Sequence, residues 1–330
     1  MYNKLEIRVF GPRRSGNHAI INWLAYQAPS KIHFFNCASN RGHDPYKTGK
    51  SRGDKYHEDL QVCFEQIPNL KNEDEDVVDY WRDVDKDILM YSYEDIDLDK
   101  YVKPRAHDFP INRKQVIGES DYQIDVVILR DAYNWLASKL KYNAKKYDYR
   151  KESVLAPRYK ENREVRNKMP YYDTYPGYRE DAKLLEGRTY INLHKMVNIW
   201  SSHVRAIDFP DEYGFNNLVF INYNLWATNY HYRQSLIESH FKPCGFEFTD
   251  KGKDEIAVRG GGSSFDGHNA GTSANDMDVL NRWSYFSSNK LFDRIFEFYP
   301  TLADMSRKVF GNIHLQDTNK EDENVITFMP

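Results

Sequence analysis

The sequence predicts an α/β fold with a central parallel sheet flanked by helices. Short apolar runs recur along the chain, and several are followed by apolar residues at helical spacing. Strands that alternate with helices pair in parallel, and helices then cover both faces of the sheet. Apolar residues make up 40% of the chain, which is enough for a substantial core. The predicted strands are residues 5–10, 32–36, 88–93, 126–129 and 218–223.

The helices follow from steps of three and four between apolar residues. Three of the strands are followed by such patterns, and a further helix is predicted from Ile191 to Ile207. We found no internal repeat and predict one domain over residues 1–330. The predicted helices are residues 17–27, 132–142, 191–207, 229–241, 277–296 and 301–310.

Composition limits the function classes. The net charge of −3 gives no overall attraction to nucleic acid or to a membrane, so any anion site must be local. Cys37, Cys63 and Cys244 lie far apart without metal-ligand spacing, which indicates reduced thiols. No run reaches the roughly 18 apolar residues that span a bilayer. We expect a soluble cytoplasmic protein, or a fragment trimmed of its anchor, that needs no metal. The oligomeric state is not predicted.

Three segments stand apart from the strand and helix pattern. Residues 40–76 are polar and end in an acidic run, which is typical of a solvated surface. Residues 139–188 hold 14 Lys and Arg against 8 Asp and Glu, interleaved with tyrosines. This basic insertion suits an anionic or sugar-like ligand, and a solvated helical excursion is the alternative. Residues 259–275 are rich in glycine and predict a cap segment.

The most informative segment is the loop after the first predicted strand. Residues 11–16 read Gly-Pro-Arg-Arg-Ser-Gly, and helical spacing begins directly afterwards. A strand, a tight turn and a helix would leave backbone N–H groups and the positive end of the helix dipole facing outward. Two guanidinium groups would lie alongside. The loop therefore predicts a phosphate or sulfate site, and an ordinary turn with exposed arginines is the alternative.

A second informative segment follows the apolar run 126–129. That run ends in Arg130, and Ser138 stands eight residues later inside the next predicted helix. An arginine at a strand end and a hydroxyl two helical turns on can hold one phosphate from two sides. The alternative is a local ion pair between Arg130 and Asp131.

Together these two segments resemble the sulfotransferases that use 3′-phosphoadenosine 5′-phosphosulfate (PAPS). That family carries Pro-Lys-Ser-Gly-Thr-Thr after its first strand and, later, an Arg-Asp-Pro stretch with a serine eight residues after the arginine. The loop of this chain departs by one inserted residue, by arginine in place of lysine, and by Asn17-His18 in place of two threonines. An Arg-Ser-Gly version occurs in carbohydrate-acting members. The resemblance implies a P-loop-like sulfotransferase fold that binds PAPS through Arg13, Arg14, Ser15, Gly16, Asn17, His18, Arg130 and Ser138.

Weaker similarities to the family occur further along the chain, in the same order as in the family. The resemblance covers about residues 10–240, with a weaker tail to 270. Residues 102–110 are similar to the segment whose histidine is the catalytic base, which implies that role for His107. Residues 220–223 are similar to the strand whose tyrosine touches adenine, which implies Tyr223. Residues 259–262 are similar to a late basic stretch that closes over the 3′-phosphate, which implies Arg259, Gly260 and Gly261.

Arginine, hydroxyl and histidine side chains suit the chemistry of sulfuryl transfer. Charge stabilisation and positioning carry most of the catalysis in such displacements. We expect Arg14 beside the bridging oxygen as an electrostatic stabiliser, since arginine does not release a proton at neutral pH. A base must take the proton of the acceptor. His107 is the predicted base, His18 is a second candidate that could instead bind the sulfate, and the carboxylates Glu94, Glu119 and Asp121 are alternatives.

Two other functions stay open. A P-loop kinase or nucleotide hydrolase needs Gly-x4-Gly-Lys-Ser/Thr, and Gly11 and Gly16 have the outer spacing, but Asn17-His18 replace the last pair. The second alternative function is that of a catalytically silent nucleotide- or glycan-binding protein of the same fold. For a sulfotransferase, we expect a hydroxyl or amine acceptor, and the basic insertion favours a small polar molecule or a glycan.

Overall fold

The structure is a computed structural model. It describes residues 2–30, 32–36, 85–102, 117–151, 193–215, 217–256, 265, 273–275, 277–287 and 290–312, apart from the side chains of 142–151, 290, 291 and 294. All statements below concern these residues.

Five parallel strands form the sheet, in the order β2-β3-β1-β4-β5. The central strand β1 pairs with β3 on one side and with β4 on the other. The pairs β2–β3 and β4–β5 complete the sheet. The predicted parallel sheet is therefore confirmed. The strands are β1 (Tyr2–Gly11), β2 (Ile32–Phe35), β3 (Lys86–Glu94), β4 (Glu119–Leu129) and β5 (Leu218–Asn222).

Eight α-helices occur within the described residues, with a five-residue π-helix after α6 (Ile237–Phe241) and short 3₁₀ segments, among them Pro210–Tyr213, Lys242–Cys244 and Arg282–Phe286. The α-helices are α1 (Asn17–Gln27), α2 (Leu98–Tyr101), α3 (Ala132–Lys151), α4 (Leu193–Asp208), α5 (Tyr223–Thr228), α6 (Tyr230–Leu236), α7 (Lys290–Phe298) and α8 (Pro300–Phe310).

Two apolar clusters cover the two faces of the sheet. Side chains along β1 point alternately to the two faces of the sheet, so that Ile7 and Val9 lie on one face and Phe10 lies on the other. The face of Ile7 and Val9 packs against α1, α5 and α6, and the face of Phe10 packs against α3, α4, α7 and α8. Helices therefore flank the sheet on both sides, as the sequence predicts.

The predicted helices are confirmed in most places, with one exception. The pattern over 277–296 predicts one helix, but the structure has an irregular stretch, a 3₁₀ segment and then α7. Asn134 of α3 binds the backbone on both sides of the 3₁₀ segment's start, and these tertiary contacts override the helical pattern. No helix in the described ranges combines the length and apolar character needed to cross a bilayer.

The strand order places a crevice beside β1. The chain leaves β1 toward β2 on one side of the sheet, and leaves β4 toward β5 on the other. Adjacent strands whose connections run in opposite directions leave a crevice at their carboxyl ends, where ligands bind in open α/β sheets. Residues 12–16 and Arg130 follow the carboxyl ends of β1 and β4 and therefore lie at this edge of the sheet.

Candidate anion-binding site

The loop after β1 is a tight turn with two left-handed residues. The N–H of Ser15 donates to the Pro12 carbonyl at 3.1 Å, and Arg14 and Gly16 have φ angles of 80° and 89°. Gly16 is the N-cap of α1, and no side chain of the described residues caps this helix. Its first turn also has no acidic residue. The helix itself therefore places no capping or acidic side chain against the positive end of its dipole, an arrangement that favours an anion.

Two buried side chains at the loop, those of Asn17 and Ser15, differ in their hydrogen bonding. The Asn17 amide donates to the Gly11 carbonyl at 3.1 Å and to Glu94 Oε1 at 3.3 Å, so it holds the turn together. The Ser15 hydroxyl is fully buried and has no hydrogen-bond partner among the described residues. A buried hydroxyl without a partner is destabilising, and an anion within the loop could accept its hydrogen bond.

Gly16 is required by two separate constraints. Its positive φ is unfavourable for residues with a Cβ. A Cβ at this position would also lie 2.1 Å from Cε2 of Tyr223, the first residue of α5. The aromatic ring of Tyr223 therefore packs directly against the loop backbone.

Carboxylates at the end of β3 hold the loop from the other side. Arg13 Nε lies 3.1 Å from Glu94 Oε2, and the Arg13 N–H donates to Asp95 Oδ1 at 2.8 Å. Lys139 of α3 bonds both oxygens of Asp95, at 2.8 and 2.7 Å. Burial alone would raise the pKa of Asp95, but the Lys139 ammonium and Arg13 outweigh it and hold that pKa below its usual value.

His18 lies between Glu94 and the end of β2. Its Nε2 is 3.1 Å from Asn36 Oδ1, and its Nδ1 is 3.6 Å from Glu94 Oε1. The same Asn36 oxygen accepts from the Ser92 hydroxyl at 3.4 Å, which marks it as an acceptor. His18 thus lies beside the Glu94 carboxylate, at a distance too long for a direct hydrogen bond.

A second cationic group lies at the end of β4. Nη1 of Arg130 donates to the Ser138 hydroxyl at 3.1 Å, and Nη1 of Arg282 donates to the same oxygen at 3.3 Å. Arg130 is 1% exposed, and its Nε and Nη2 have no partner among the described residues. Burial, and next the charge of Arg282, lower the pKa of Arg130 to about 10. Arg130 thus stays charged at neutral pH.

The two groups belong to one site. The Tyr223 ring that packs on Gly16 also lies 5.2 Å from the Arg130 guanidinium carbon. The indole of Trp135, in the first turn of α3, donates to the Arg13 carbonyl at 3.1 Å. The charge of Arg14 also contributes, as the smallest cause, to the lowered pKa of Arg130.

The predicted residues have different outcomes. The structure brings together Arg13, Arg14, Ser15, Gly16, Asn17, His18, Glu94, Arg130, Ser138 and Tyr223. The predicted residues His107, Arg259, Gly260 and Gly261 lie outside the described residues, as do residues 40–76 and most of the segments 139–188 and 259–275.

Two of the alternative bases are wrong. Glu119 and Asp121 lie at the amino end of β4, where Glu119 pairs with Tyr2 of β1. Strands rise about 3.3 Å per residue, so roughly 30 Å of strand separates Glu119 from the loop edge. Glu94 pairs with Gly11 and is the alternative carboxylate that reaches the site.

Three site residues were missed by the sequence analysis, namely Asp95, Lys139 and Arg282. Asp95 follows Glu94 directly, so the strand end was a signal for it. Lys139 adjoins Ser138, but nothing in the pattern indicates that it turns toward β3. Arg282 lies far along the chain in a segment predicted as helix.

The described residues hold no group of three or more His, Cys, Asp or Glu side chains arranged to bind a metal ion. Comparison with models of protein families, with characterised proteins and with solved structures gives no match for this chain.

Proposed function

We propose that this protein is a sulfotransferase that moves a sulfuryl group from PAPS to a hydroxyl or amine acceptor. The observation that carries the proposal is the pair of cationic groups at the carboxyl ends of β1 and β4, joined by Tyr223. PAPS is an adenosine with a phosphosulfate at its 5′ end and a phosphate at its 3′ end. Its negative charges therefore lie at two positions, one for each cationic group. The unpartnered donors of Ser15 and Arg130 fit anionic oxygens.

The loop and Arg14 serve the 5′ end in this proposal. The donor supplies an activated sulfuryl group, whose S–O bond to the phosphate breaks as the acceptor oxygen or nitrogen attacks sulfur. Negative charge then grows on the bridging oxygen. Arg14, the Ser15 hydroxyl and the uncapped amino end of α1 stabilise that charge.

The proton of the acceptor passes to a base. Among the described residues, Glu94 and His18 lie beside the loop, 3.6 Å apart, and either side chain has the chemistry of a general base. His107 stays a prediction for the same role. We further propose a polar acceptor, such as a glycan, because the insertion 139–188 is basic and rich in tyrosine.

A transfer assay tests this function. The protein would be incubated with PAPS carrying labelled sulfate and with a panel of polysaccharides, phenols and amines. We expect label on at least one acceptor class and 3′,5′-ADP as the second product. Arg14→Ala should lower turnover by about 10²–10³-fold, whereas Arg307→Ala on the exposed side of α8 should not. Labelled donor that is only hydrolysed, at the same rate in Arg14→Ala, would contradict the proposal.

The second candidate is a magnesium-dependent kinase or hydrolase. The uncapped α1 and the turn at residues 12–16 would serve a triphosphate equally well. Thermal unfolding with ATP and magnesium, compared with 3′,5′-ADP, separates the two candidates, because stabilisation by ATP and magnesium alone favours this second one.

A further inference from the structure

The turn that follows β1 has the less common of two related shapes. The Ser15 N–H donates to the Pro12 carbonyl, so residues 12–15 form a β-turn with Arg13 and Arg14 at its centre. The φ angle of Arg14 is 80°, whereas that of Arg13 is not positive. This is the pattern of a type II turn, which favours glycine or asparagine at the position of Arg14. An arginine is unfavourable there, because its Cβ crowds a backbone carbonyl oxygen.

The commoner type I turn would relieve this strain. The two types share the hydrogen bond between their end residues and differ in the orientation of the central peptide unit, which here joins Arg13 to Arg14. Reversing that unit changes the φ of Arg14 from positive to negative and turns the Arg13 carbonyl to the opposite side of the turn. A strained conformation persists where its surroundings fix it, so a contact to the Arg13 carbonyl can select the type II form.

Trp135 of α3 supplies that contact. Its indole N–H donates to the Arg13 carbonyl at 3.1 Å, and its side chain is fully buried. In a type I turn the Arg13 carbonyl would point away from α3, and the indole N–H would lose this bond. A buried donor that loses its partner is destabilising, so the indole favours the type II form.

The other hydrogen bonds of the turn do not distinguish the two forms. Asp95 Oδ1 accepts from the Arg13 N–H at 2.8 Å, and the Asn17 amide donates to the Gly11 carbonyl at 3.1 Å. Both bonds involve peptide units that precede the central one, so a type I turn would keep them. The bond from Trp135, in contrast, is made in the type II form alone.

We propose that Trp135 is a positioning residue for sulfuryl transfer, which acts by holding the turn in its type II form. The inference rests on the proposed function, in which Arg14 serves the 5′ end of the donor. The peptide bond between Arg13 and Arg14 is trans, so the bond from Trp135 also directs the Arg14 N–H away from α3. Donor binding then requires the type II form, and the fraction of protein in that form sets the apparent affinity.

The first test is the crystal structure of Trp135→Phe without ligand, which keeps an aromatic ring and removes the N–H donor. We expect a reversed Arg13 carbonyl and a negative φ at Arg14. A φ that stays near 80° would overturn the inference, whatever reaction the protein catalyses. The tryptophan isostere 3-benzothienylalanine at position 135 lacks the N–H but keeps the ring shape, and it gives the same test if Trp135→Phe does not fold.

The second test is titration calorimetry with 3′,5′-ADP. Trp135→Phe should weaken binding by about tenfold, because about a tenth of the protein would then have the type II turn. In the transfer assay the KM for PAPS should rise by a similar factor while kcat stays within about twofold, since saturating donor restores the turn. Trp23→Phe is the matched control. Its indole is also buried and donates to Asp250 Oδ1 at 3.1 Å, and this variant should bind as wild type within about twofold.

The third test uses Arg14→Gly, because glycine adopts a positive φ without strain. With glycine at this position the type II form no longer needs the indole bond. Adding Trp135→Phe to Arg14→Gly should therefore weaken 3′,5′-ADP binding by no more than about threefold, against about tenfold in the wild-type background. A tenfold loss in both backgrounds would overturn the inference, because Trp135 would then only support the fold. An equal loss in Trp23→Phe would overturn it as well.

These outcomes separate the role of Trp135 from the function on which it rests. If wild-type protein does not bind 3′,5′-ADP and the turn of Trp135→Phe is reversed, the proposed function fails while the control of the turn by Trp135 stands. If wild-type protein binds 3′,5′-ADP and Trp135→Phe binds it equally well, the role of Trp135 is overturned while the function stands.

Discussion

The junction between β1 and α1 and the junction between β4 and α3 both contain arginine at the carboxyl edge of the sheet, but they are built differently. At the first, α1 starts without a side-chain cap, and a buried hydroxyl has no partner. At the second, Asp131 caps α3 by accepting from the Asn134 N–H at 2.8 Å, and Ser306 accepts from the Ala132 N–H at 3.0 Å.

In the proposed function, the difference corresponds to two ways of making an anion site. The first junction offers backbone N–H groups and a helix dipole, and carboxylates from β3 only hold its shape. At the second junction, side chains already accept hydrogen bonds from the first N–H groups of α3. The attraction for an anion there comes from buried guanidinium groups. A buried tryptophan fixes each arginine: Trp135 donates to the Arg13 carbonyl and Trp200 donates to the Arg130 carbonyl.

At the first junction the large effect is expected on stability. Asp95→Asn removes the carboxylate that the buried Lys139 ammonium bonds through both oxygens, which should lower the free energy of unfolding by about 3–5 kcal/mol. Urea unfolding at pH 7 measures it. The control is Asp87→Asn, which removes an exposed partner of Lys4 and should cost about 0–1 kcal/mol. Equal losses in the two variants would show that the loop does not depend on this pair.

The same pair gives the stability a pH dependence. Because the pKa of Asp95 is lower in the folded than in the unfolded protein, its contribution is present above about pH 4 and is lost as the pH falls further. Urea unfolding at pH 5 and pH 3 should therefore show a smaller decrease in Asp95→Asn than in wild-type protein. An identical decrease would contradict the lowered pKa.

At the second junction the large effect is expected on binding. Arg130→Gln should weaken 3′,5′-ADP binding by about 2–5 kcal/mol, with the free energy of unfolding unchanged or higher, since an unpartnered buried charge is removed. Arg8→Gln provides the contrast, because Arg8 is buried but paired with Asp125. That variant should lose stability by about 3–5 kcal/mol and keep its affinity. Calorimetry and urea unfolding measure both, and a destabilised Arg130→Gln would show that Arg130 is structural.

A smaller effect is expected from the backbone of the loop. Gly16→Ala should lose about 1–2 kcal/mol from its positive φ and about 1–3 kcal/mol more from the clash with Tyr223. Gly214→Ala is the control, with a φ of 66° and nothing within 4 Å of the added Cβ. Thermal unfolding should show the first variant less stable than the second. Equal losses would mean that Tyr223 does not press on the loop.

The smallest effect is expected at the cap of α3. Asp131→Ala should cost about 0.5–2 kcal/mol, and Asp131→Asn, which can still cap, should cost less. Neither should weaken 3′,5′-ADP binding, because the second junction attracts its anion through the arginines. Urea unfolding with calorimetry on both variants checks this, and a large loss of affinity would show that Asp131 takes part in the site.

The sequence predicted the sheet and much of the site for physical reasons that apply locally. Apolar runs and helical spacing indicate which residues are buried, and they therefore predict the strands and most helices. The residues Arg13–His18 could be predicted together because they form one continuous segment. The contacts of Lys139 and Arg282 depend on how α3 packs against β3 and on backbone bonds from Asn134. Such contacts join residues that are distant in the chain, and no local pattern encodes them.

Titration of the wild-type protein with 3′,5′-ADP, with and without magnesium, tests the central claim most directly. The account predicts binding that magnesium does not strengthen and that Arg130→Gln abolishes or weakens by about 30-fold or more. Binding of ATP only in the presence of magnesium, with no response to 3′,5′-ADP, would contradict it.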